Sequence, residues 1–407
     1  MRPPPLKFWG NLLLLLVSSA IAFLLVEAGA RLYLFGSLAS PGLSHDKLLN
    51  VPHPERGWQL LPDETVLSRT LDYVVSTHTN HRGLNDDDTP YEKPPGVFRI
   101  VVLGDSFMFG KEIERTQGLP ALLETQLKER RVEVINLGVI GYGTIQECLL
   151  LREEGLKYQP DLVLLGFYAF NDIRDNSKAL NELMWGPQVI LTWGRPYAGG
   201  DNAKGALKFE FPDIHRLRRA NFERRERFTK EYEMAPTYSR LATSMLTRYV
   251  LRQWLKKMQP LEFDPAVLFG PYLEGDAIPH AAEWKQAWDT TERVLLATRD
   301  TAREAGAKFA IFTIPSRFQV DAHYREMVAD QVAGLKFDLQ KPEKQLVDFG
   351  QQEGIPVLDL TPVFSEVQEK QGTPLHHQLE DEHWNPNGHA LAATAVRKFL
   401  EEQRLLP

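Results

Sequence analysis

The chain has 407 residues, a length that suggests two or three domains or one long α/β unit, and its 43% hydrophobic and 25% charged residues are typical of a globular protein. Its 47 Lys and Arg against 54 Asp and Glu give a net charge of −7, so there is no bulk attraction to nucleic acid and we expect no such partner. The single cysteine, Cys148, excludes an internal disulfide framework and a cysteine-rich metal site, and its apolar neighbours in a predicted helix indicate a buried structural thiol.

The first 35 residues differ in character from the rest. Residues 8–26 carry no charge and would be about 28 Å long as a helix, enough to cross the hydrocarbon core of a membrane. Arg2 and Lys7 precede this run, which favours a cytoplasmic N-terminus with residues 36–407 on the periplasmic or extracellular side. The length of the run favours a retained signal anchor. The alternative is a signal peptide cleaved after small residues at 19–22 or 28–30, and both export the rest of the chain.

Residues 36–97 are rich in Pro, His and Asp and contain short β-like pieces such as 72–76. They predict an N-terminal extension that packs on the main domain. The Lys-Pro-Pro-Gly stretch at 93–96 leads into that domain, which we place at residues 98–407.

From residue 98 onwards, apolar strand patterns alternate with amphipathic helix patterns. The predicted strands are 98–103, 132–137, 161–167, 308–314 and 356–360, and the predicted helices are 117–130, 144–156, 282–305, 342–353 and 386–402. Continuous apolar strands separated by helices predict an α/β fold whose parallel sheet is covered on both faces.

The alternation is interrupted by an insertion at about 174–281. A structureless loop of that length is implausible, so we expect the insertion to carry helices, one of them near 239–258. Its Arg-rich piece at 215–227 is predicted to be a solvated helix face, with contact to anionic lipid or acidic glycan as the alternative.

Four polar, turn-forming segments follow strands of the predicted sheet. They are Gly-Asp-Ser-Phe at 104–107, Asn-Leu-Gly-Val-Ile-Gly-Tyr-Gly-Thr at 136–144, Phe-Asn-Asp-Ile at 170–173 and Asp-Glu-His-Trp-Asn-Pro-Asn-Gly-His at 381–389. Each has a local explanation as a turn or cap when taken alone. Together they fall at the edge where parallel sheets bind ligands, namely the carboxyl ends of the strands.

These segments contain the parts that ester cleavage requires. Ser106, at a strand-to-helix turn, would be the nucleophile, His383 the base, and Asp381 the acid that orients the base. The backbone N–H groups of Ser106 and Gly141 and the side-chain amide of Asn171 would donate hydrogen bonds to the oxyanion.

Two other kinds of site are disfavoured. The residue two places after Ser106 is Met108, so the G-x-S-x-G elbow of α/β-hydrolases is missing. The histidines at 376, 377, 383 and 389 match no known spacing of metal ligands, and we expect neither a metal nor an organic cofactor.

The four segments resemble the conserved blocks of the SGNH/GDSL hydrolase superfamily, over roughly residues 97–175 and 284–405. The resemblance implies a flavodoxin-like three-layer α/β/α sandwich of strand order 2-1-3-4-5, and the roles given above for Ser106, Gly141, Asn171 and His383. Phe107 stands where the family usually has Leu. Many members place the acid three residues before the histidine, here Glu380. The Asp-x-His-Trp form instead matches Asp381 and is similar to the exported O-acetyltransferase branch related to alginate acetylation.

The sequence therefore predicts a membrane-anchored, exported serine esterase that removes acyl groups, acetyl or another short chain, from an envelope glycan or lipid. The alternative is an O-acyltransferase that uses the same residues to move an acetyl group onto a polysaccharide. A binding protein with a decayed site is disfavoured because the serine, glycine, asparagine and histidine segments are all intact.

Overall fold

The computed structural model describes residues 6–35, 49–69, 73–186, 194–199, 207–233, 264–274, 278–329, 334–378 and 382–407, together with Thr243, Thr247 and Val250. In chain order its strands are β1 Asn50–His53, β2 Gly57–Leu60, β3 Thr65–Arg69, β4 Val74–His78, β5 Phe98–Leu103, β6 Val132–Asn136, β7 Leu162–Phe167, β8 Tyr197–Gly199, β9 Lys208–Glu210, β10 Leu273–Glu274, β11 Lys308–Thr313, β12 Lys336–Phe337 and β13 Val357–Leu358.

The helices are α1 Leu6–Phe35, α2 Ser106–Phe109, α3 Leu119–Leu127, α4 Thr144–Glu153, α5 Ala169–Asp175, α6 Lys178–Trp185, α7 Ile214–Glu233, α8 Pro265–Leu268, α9 Ala281–Glu304, α10 Arg317–Val320, α11 Ala322–Ala329, α12 Lys341–Glu353, α13 Thr361–Gln371 and α14 Pro386–Glu402.

The centre of the fold is a five-stranded parallel sheet with the spatial order β13-β11-β7-β5-β6. Numbered by their order along the chain, these strands lie in the order 2-1-3-4-5, which confirms the predicted α/β topology. All six residues of β7 and five of the six in β5 are buried. This burial on both faces explains why the two strands are apolar, apart from Arg99 of β5, and do not alternate with polar residues.

Each face of the sheet packs on its own hydrophobic core, because successive side chains of a strand point to opposite faces. Val101 and Leu103 of β5 belong to a core that includes residues of α4, α9 and α12. Ile100 and Val102 belong to a second core that includes residues of α3, α13 and α14. The result is the three-layer arrangement predicted from the sequence.

The described part of the insertion contains helices α6, α7 and α8, as expected, whereas residues 239–258 lie mostly outside the described residues. Cys148 is fully buried on α4.

Helix α1 contains a 23-residue apolar stretch, Gly10–Leu32, with a mean hydropathy of 2.3. It is long and apolar enough to cross a membrane, although a signal sequence near an N-terminus has the same properties.

The segment before the sheet forms two antiparallel hairpins, β1–β2 and β3–β4. Trp58 and Leu60 of β2 are buried in the same core as Val101 and Leu103 of the central sheet. The segment therefore contacts the main domain through apolar side chains, and the polar contacts described below bring it to the candidate site.

Candidate active site

The strand β5 ends where Ser106 begins α2, a helix of one turn. Asp105 caps this helix: its Oδ1 accepts a hydrogen bond from the backbone N–H of Phe107, 2.9 Å away. The side chain of Asp105 is buried, and burial raises the pKa of its carboxyl group. The helix ends after one turn at Gly110, which adopts the left-handed conformation. These local interactions hold Ser106 at the carboxyl end of the sheet.

Ser106 and His383, which are 277 residues apart in sequence, lie within hydrogen-bond distance. The Oγ atom of Ser106 is 2.7 Å from Nε2 of His383. The ring of Phe107 packs against that of His383 with a centroid distance of 4.8 Å, and it packs edge-to-face on the buried Trp384. The aromatic residue that replaces the usual Leu therefore contacts the imidazole of the candidate base.

The loop that carries His383 is held from both sides. On one side, the carbonyl of His383 accepts a hydrogen bond from the N–H of His377, and Arg317 donates to the carbonyls of His377 and Gln378. On the other, Asn385 caps α14 by accepting from the N–H groups of the helix's first turn. The hydrogen bonds on both sides of His383 therefore fix the position of its imidazole.

Asp381, the predicted orienting acid, and its neighbour Glu380 lie outside the described residues. A different carboxylate faces the imidazole. The Oε2 atom of Glu112 is 3.7 Å from Nδ1 of His383, and the Glu112 side chain is 1% exposed. Glu112 Oε1 also forms an ion pair of 2.6 Å with Lys111.

Sequence reasoning missed Glu112, although it lies only six residues after Ser106 in the turn that follows α2. Its φ of +77° is uncommon for a residue with a side chain, and such strain concentrates at functional sites. The signal that could have indicated Glu112 is an acid in the turn that follows the nucleophile. The sequence does not show whether that turn faces the histidine.

The glycine-containing loop after β6 packs directly on the nucleophile turn. The N–H of Val139 donates to the carbonyl of Gly104, and a Cβ at Gly138 would lie 2.2 Å from the backbone nitrogen of Phe109. Only glycine allows this approach. The side chain of Asn136 links the same two segments, donating to the carbonyl of Met108 and accepting from the N–H of Gly138. The loop that contains Gly141 is therefore anchored beside Ser106.

Asn171 lies in α5, at the end of the neighbouring strand β7. Its Nδ2 donates one hydrogen bond to Oδ2 of Asp105, at 2.8 Å. An amide nitrogen has two hydrogens, so a second N–H remains for another acceptor. Asp105 thus contacts both the helix that carries Ser106 and the predicted oxyanion donor.

Several buried carboxyl groups lie behind this donor. Burial raises the pKa values of Glu147 and Asp172 well above their usual range, and the charge of the neighbouring Asp105 raises both further. Asp175 instead forms a 2.7 Å ion pair with Arg195. A raised pKa favours the neutral form of a carboxyl group, which reduces the negative charge near the oxyanion position.

Two other histidines near the His383 loop, His376 and His389, have backbone partners for their rings. His376 is buried, with Nε2 3.3 Å from the carbonyl of Pro315, and the buried His389 accepts from the N–H of Leu119. Across the described ranges, no group of three or more His, Cys, Asp or Glu residues is arranged to hold a metal ion.

Residues 274–407 match the family described as "SGNH hydrolase-like domain, acetyltransferase AlgX". The matched region includes His383 and begins after Ser106, Gly141 and Asn171. It confirms the resemblance to SGNH hydrolases predicted from the sequence. No curated protein matches the chain at a significant level.

Solved structures similar to this chain include an acetyl xylan esterase, AlAXEase (12% identity, TM-score 0.35, covering 74% of this chain and 98% of that one). A member of the lipolytic G-D-S-L family from Veillonella parvula DSM 2008 is 11% identical, with a TM-score of 0.36 and coverage of 74% and 97%. A lipase/acylhydrolase from Enterococcus faecalis is 14% identical, with a TM-score of 0.36 and coverage of 75% and 97%.

Proposed function

Since this chain carries an SGNH hydrolase-like domain, we propose that it is an exported serine esterase, anchored by α1, that hydrolyses acetyl or other short-chain esters on an envelope glycan or lipid. The observation that carries the proposal is the 2.7 Å contact between Oγ of Ser106 and Nε2 of His383. A serine hydroxyl is a weak nucleophile until a base within hydrogen-bond distance accepts its proton.

In the first step, Nε2 of His383 accepts the proton of the Ser106 hydroxyl while Oγ attacks the carbonyl carbon of the ester. The carbonyl oxygen becomes an oxyanion, to which the N–H groups of Ser106, Gly141 and Asn171 donate hydrogen bonds. When the tetrahedral intermediate collapses, the C–O bond to the alcohol breaks. His383 gives its proton to the departing alkoxide, which leaves an acyl group on Ser106.

In the second step, water attacks the acyl-enzyme. His383 accepts a proton from this water and returns it to Oγ of Ser106 as the acid departs. While His383 is protonated, Nδ1–H faces Oε2 of Glu112, and a carboxylate at that position stabilises the imidazolium.

A second candidate function is transfer of the acyl group to a sugar hydroxyl in place of water. The match of residues 274–407 to a domain described from an acetyltransferase favours it. The two functions share every residue of the first step and differ only in the acceptor that attacks acyl-Ser106.

The proposal is tested with Ser106→Ala in purified protein, using p-nitrophenyl acetate as substrate. We expect kcat/KM to fall by roughly 10³-fold or more, because the acyl-enzyme has no other route of formation. Ser365→Ala, which removes a half-buried hydroxyl from α13, is the matched control and should retain activity. Turnover of Ser106→Ala near that of the control would refute the assignment.

The acceptor is identified by adding an unacetylated polysaccharide to the same reaction. An esterase releases acetate at an unchanged rate and leaves the polysaccharide unmodified. Acetyl groups on the polysaccharide, formed by the parent protein and not by Ser106→Ala, would assign the transferase function instead.

A further inference from the structure

We propose that Trp58, in the segment before the sheet, is a positioning residue for the oxyanion site: its indole N–H fixes the peptide between Ile140 and Gly141 so that the Gly141 N–H faces the reacting ester. This inference rests on the proposed function, because it assigns a cause to the placement of one oxyanion donor.

The first step of the argument is the shape of the loop. The N–H of Tyr142 donates to the carbonyl of Val139 at 3.1 Å, which closes a four-residue β-turn. Gly141, the third residue, has a φ of +75°, whereas Ile140 has a negative φ. A positive φ at the third position alone defines a type II turn, in which that position favours glycine.

The second step is the peptide at the centre of this turn. Type I and type II turns differ mainly by a flip of the central peptide, here the one that joins Ile140 and Gly141. The carbonyl and the N–H of a planar trans peptide point in opposite directions. Whatever fixes the Ile140 carbonyl therefore also fixes the direction of the Gly141 N–H.

Trp58 fixes that carbonyl, since its Nε1 donates to the Ile140 oxygen at 3.1 Å. A Cβ placed on Gly141 would lie 3.5 Å from Cζ2 of Trp58, so the indole lies along the turn itself. A hydrogen bond to a peptide oxygen also polarises the N–H of the same peptide and strengthens it as a donor.

The third step is the rigidity of Trp58. Its side chain is 4% exposed and packs edge-to-face on Tyr142, with ring centroids 5.5 Å apart. The guanidinium of Arg195 lies 5.0 Å from the ring centroid on another side. The backbone is fixed as well, because the Trp58 carbonyl accepts from the Tyr142 hydroxyl at 2.5 Å. Because the indole is itself held in place, it restrains the Ile140 carbonyl and does not move with that carbonyl.

The matched comparison is Trp58→Phe against Trp284→Phe. Trp284 is also a buried indole whose Nε1 donates to a backbone carbonyl, that of Ala266, at the same distance of 3.1 Å. Both variants keep an aromatic ring and lose one N–H donor to a carbonyl. Of these two indoles, Trp58 is the one that bonds to the loop of Gly141. A general loss of packing would therefore lower the activity of both variants, whereas loss of a positioning role would lower the activity of Trp58→Phe alone.

Activity is measured per competent site, with sites counted by titration with a fluorophosphonate. We expect Trp58→Phe to lower kcat about tenfold with little change in KM, a smaller effect than the loss of a whole oxyanion donor. Trp284→Phe should retain the parent kcat. Equal kcat and KM values in both variants would overturn the inference.

A second measurement reports on the turn directly. The backbone amide signal of Gly141 in a ¹H–¹⁵N spectrum should shift or broaden in Trp58→Phe, because the central peptide gains freedom to flip, and should be unchanged in Trp284→Phe. An unperturbed Gly141 signal in Trp58→Phe would contradict the inference. If Ser106→Ala kept its activity, the proposed function would fail, and the signal would still test the turn.

Discussion

At the scale of single residues, the two ring nitrogens of His383 have one near and one more distant polar neighbour. The contact between Ser106 and His383 is a normal hydrogen bond of 2.7 Å, whereas Glu112 stands 3.7 Å from the other ring nitrogen. An acid at hydrogen-bond distance orients an imidazole, and one slightly farther away still stabilises its positive charge. We therefore expect Asp381 to orient His383 and Glu112 to add electrostatic support.

The three acids are ranked by their amide variants. We expect Asp381→Asn to lower kcat by two or more orders of magnitude, as the loss of an orienting carboxylate does. Glu380→Gln should lower kcat about tenfold or less, since a loop acid with a longer side chain is most simply solvated, and Glu112→Gln should lower it about tenfold.

The control for Glu112→Gln is Glu343→Gln, another buried glutamate, which contacts Gln319. It should leave kcat unchanged. A larger effect of Glu112→Gln than of Asp381→Asn would assign the orienting role to Glu112. A larger effect of Glu380→Gln than of Asp381→Asn would restore the three-residue spacing and favour a plain esterase over the acetyltransferase branch.

Ser106 and His383 could be predicted because each lies beside a strong local signal. Ser106 lies in a polar turn after an apolar strand, and His383 lies just before the capped start of α14. Glu112 could not, because its position depends on a backbone conformation that glycine usually adopts. Trp58 could not, because its hydrogen bond joins residues 82 positions apart and no local pattern encodes that pairing.

At the scale of elements, the site is stabilised by a contact between α14 and the start of α3. His389, in the first turn of α14, accepts a hydrogen bond from the N–H of Leu119, the first residue of α3. This N–H has no partner within its own helix, because the first N–H groups of a helix never do. Burial lowers the pKa of His389 to about 3, so the neutral ring is the form that makes this contact.

This contact predicts a pH dependence of stability. In the unfolded chain His389 titrates near 6.5, so between pH 6.5 and 3 the unfolded state binds a proton that the folded state does not. The stabilisation is complete above pH 6.5 and is lost as the pH falls. We expect His389→Gln, which keeps an acceptor for Leu119, to flatten the rise of unfolding free energy with pH by up to about 1.4 kcal/mol per unit between pH 4 and 6.

This slope is measured by denaturant unfolding, at several pH values, of the chain expressed without α1. Asp86 and Glu343 act with the opposite sign, because burial raises their pKa values to about 7 and about 8. They are common to both proteins, so the difference between parent and variant isolates His389. The exposed His215 provides the control variant, His215→Gln, and equal slopes for all three proteins would refute the prediction.

The elements that the sequence predicts best are those decided by burial on the sheet. The five predicted strands all occur, each within two residues at either end, because a strand buried on both faces has few polar positions. Helix α13 is absent from the predicted helices, although Pro362 at its start and Gly372 at its end are common helix boundaries. The short helix α5 is also absent from the predicted helices, because tertiary contacts decide whether such short segments form.

At the scale of the whole molecule, the proposed location of the domain depends on the apolar α1. The proposal of an anchored enzyme depends on α1 remaining in the membrane with Arg2 and Lys7 in the cytoplasm, whereas a cleaved signal would export the domain without anchoring it. A domain on the periplasmic or extracellular side meets envelope glycans and lipids, whereas a domain in the cytoplasm meets cytoplasmic esters.

The topology is checked by adding protease to spheroplasts that express the full chain. We expect the domain to be digested while a cytoplasmic marker protein survives. Protection of the domain in intact spheroplasts would reverse the topology. A mature N-terminus at residue 23 or 31 would show that the segment is a cleaved signal.

The distance of 277 residues between Ser106 and His383 also has a consequence for the order of synthesis. A ribosome completes the turn of Ser106 and all five strands of the central sheet before it adds the loop of His383. A growing chain, or one truncated before His383, would thus have the proposed nucleophile without the proposed base. We therefore expect a chain that ends before His383 to leave esters intact, even where its sheet is complete.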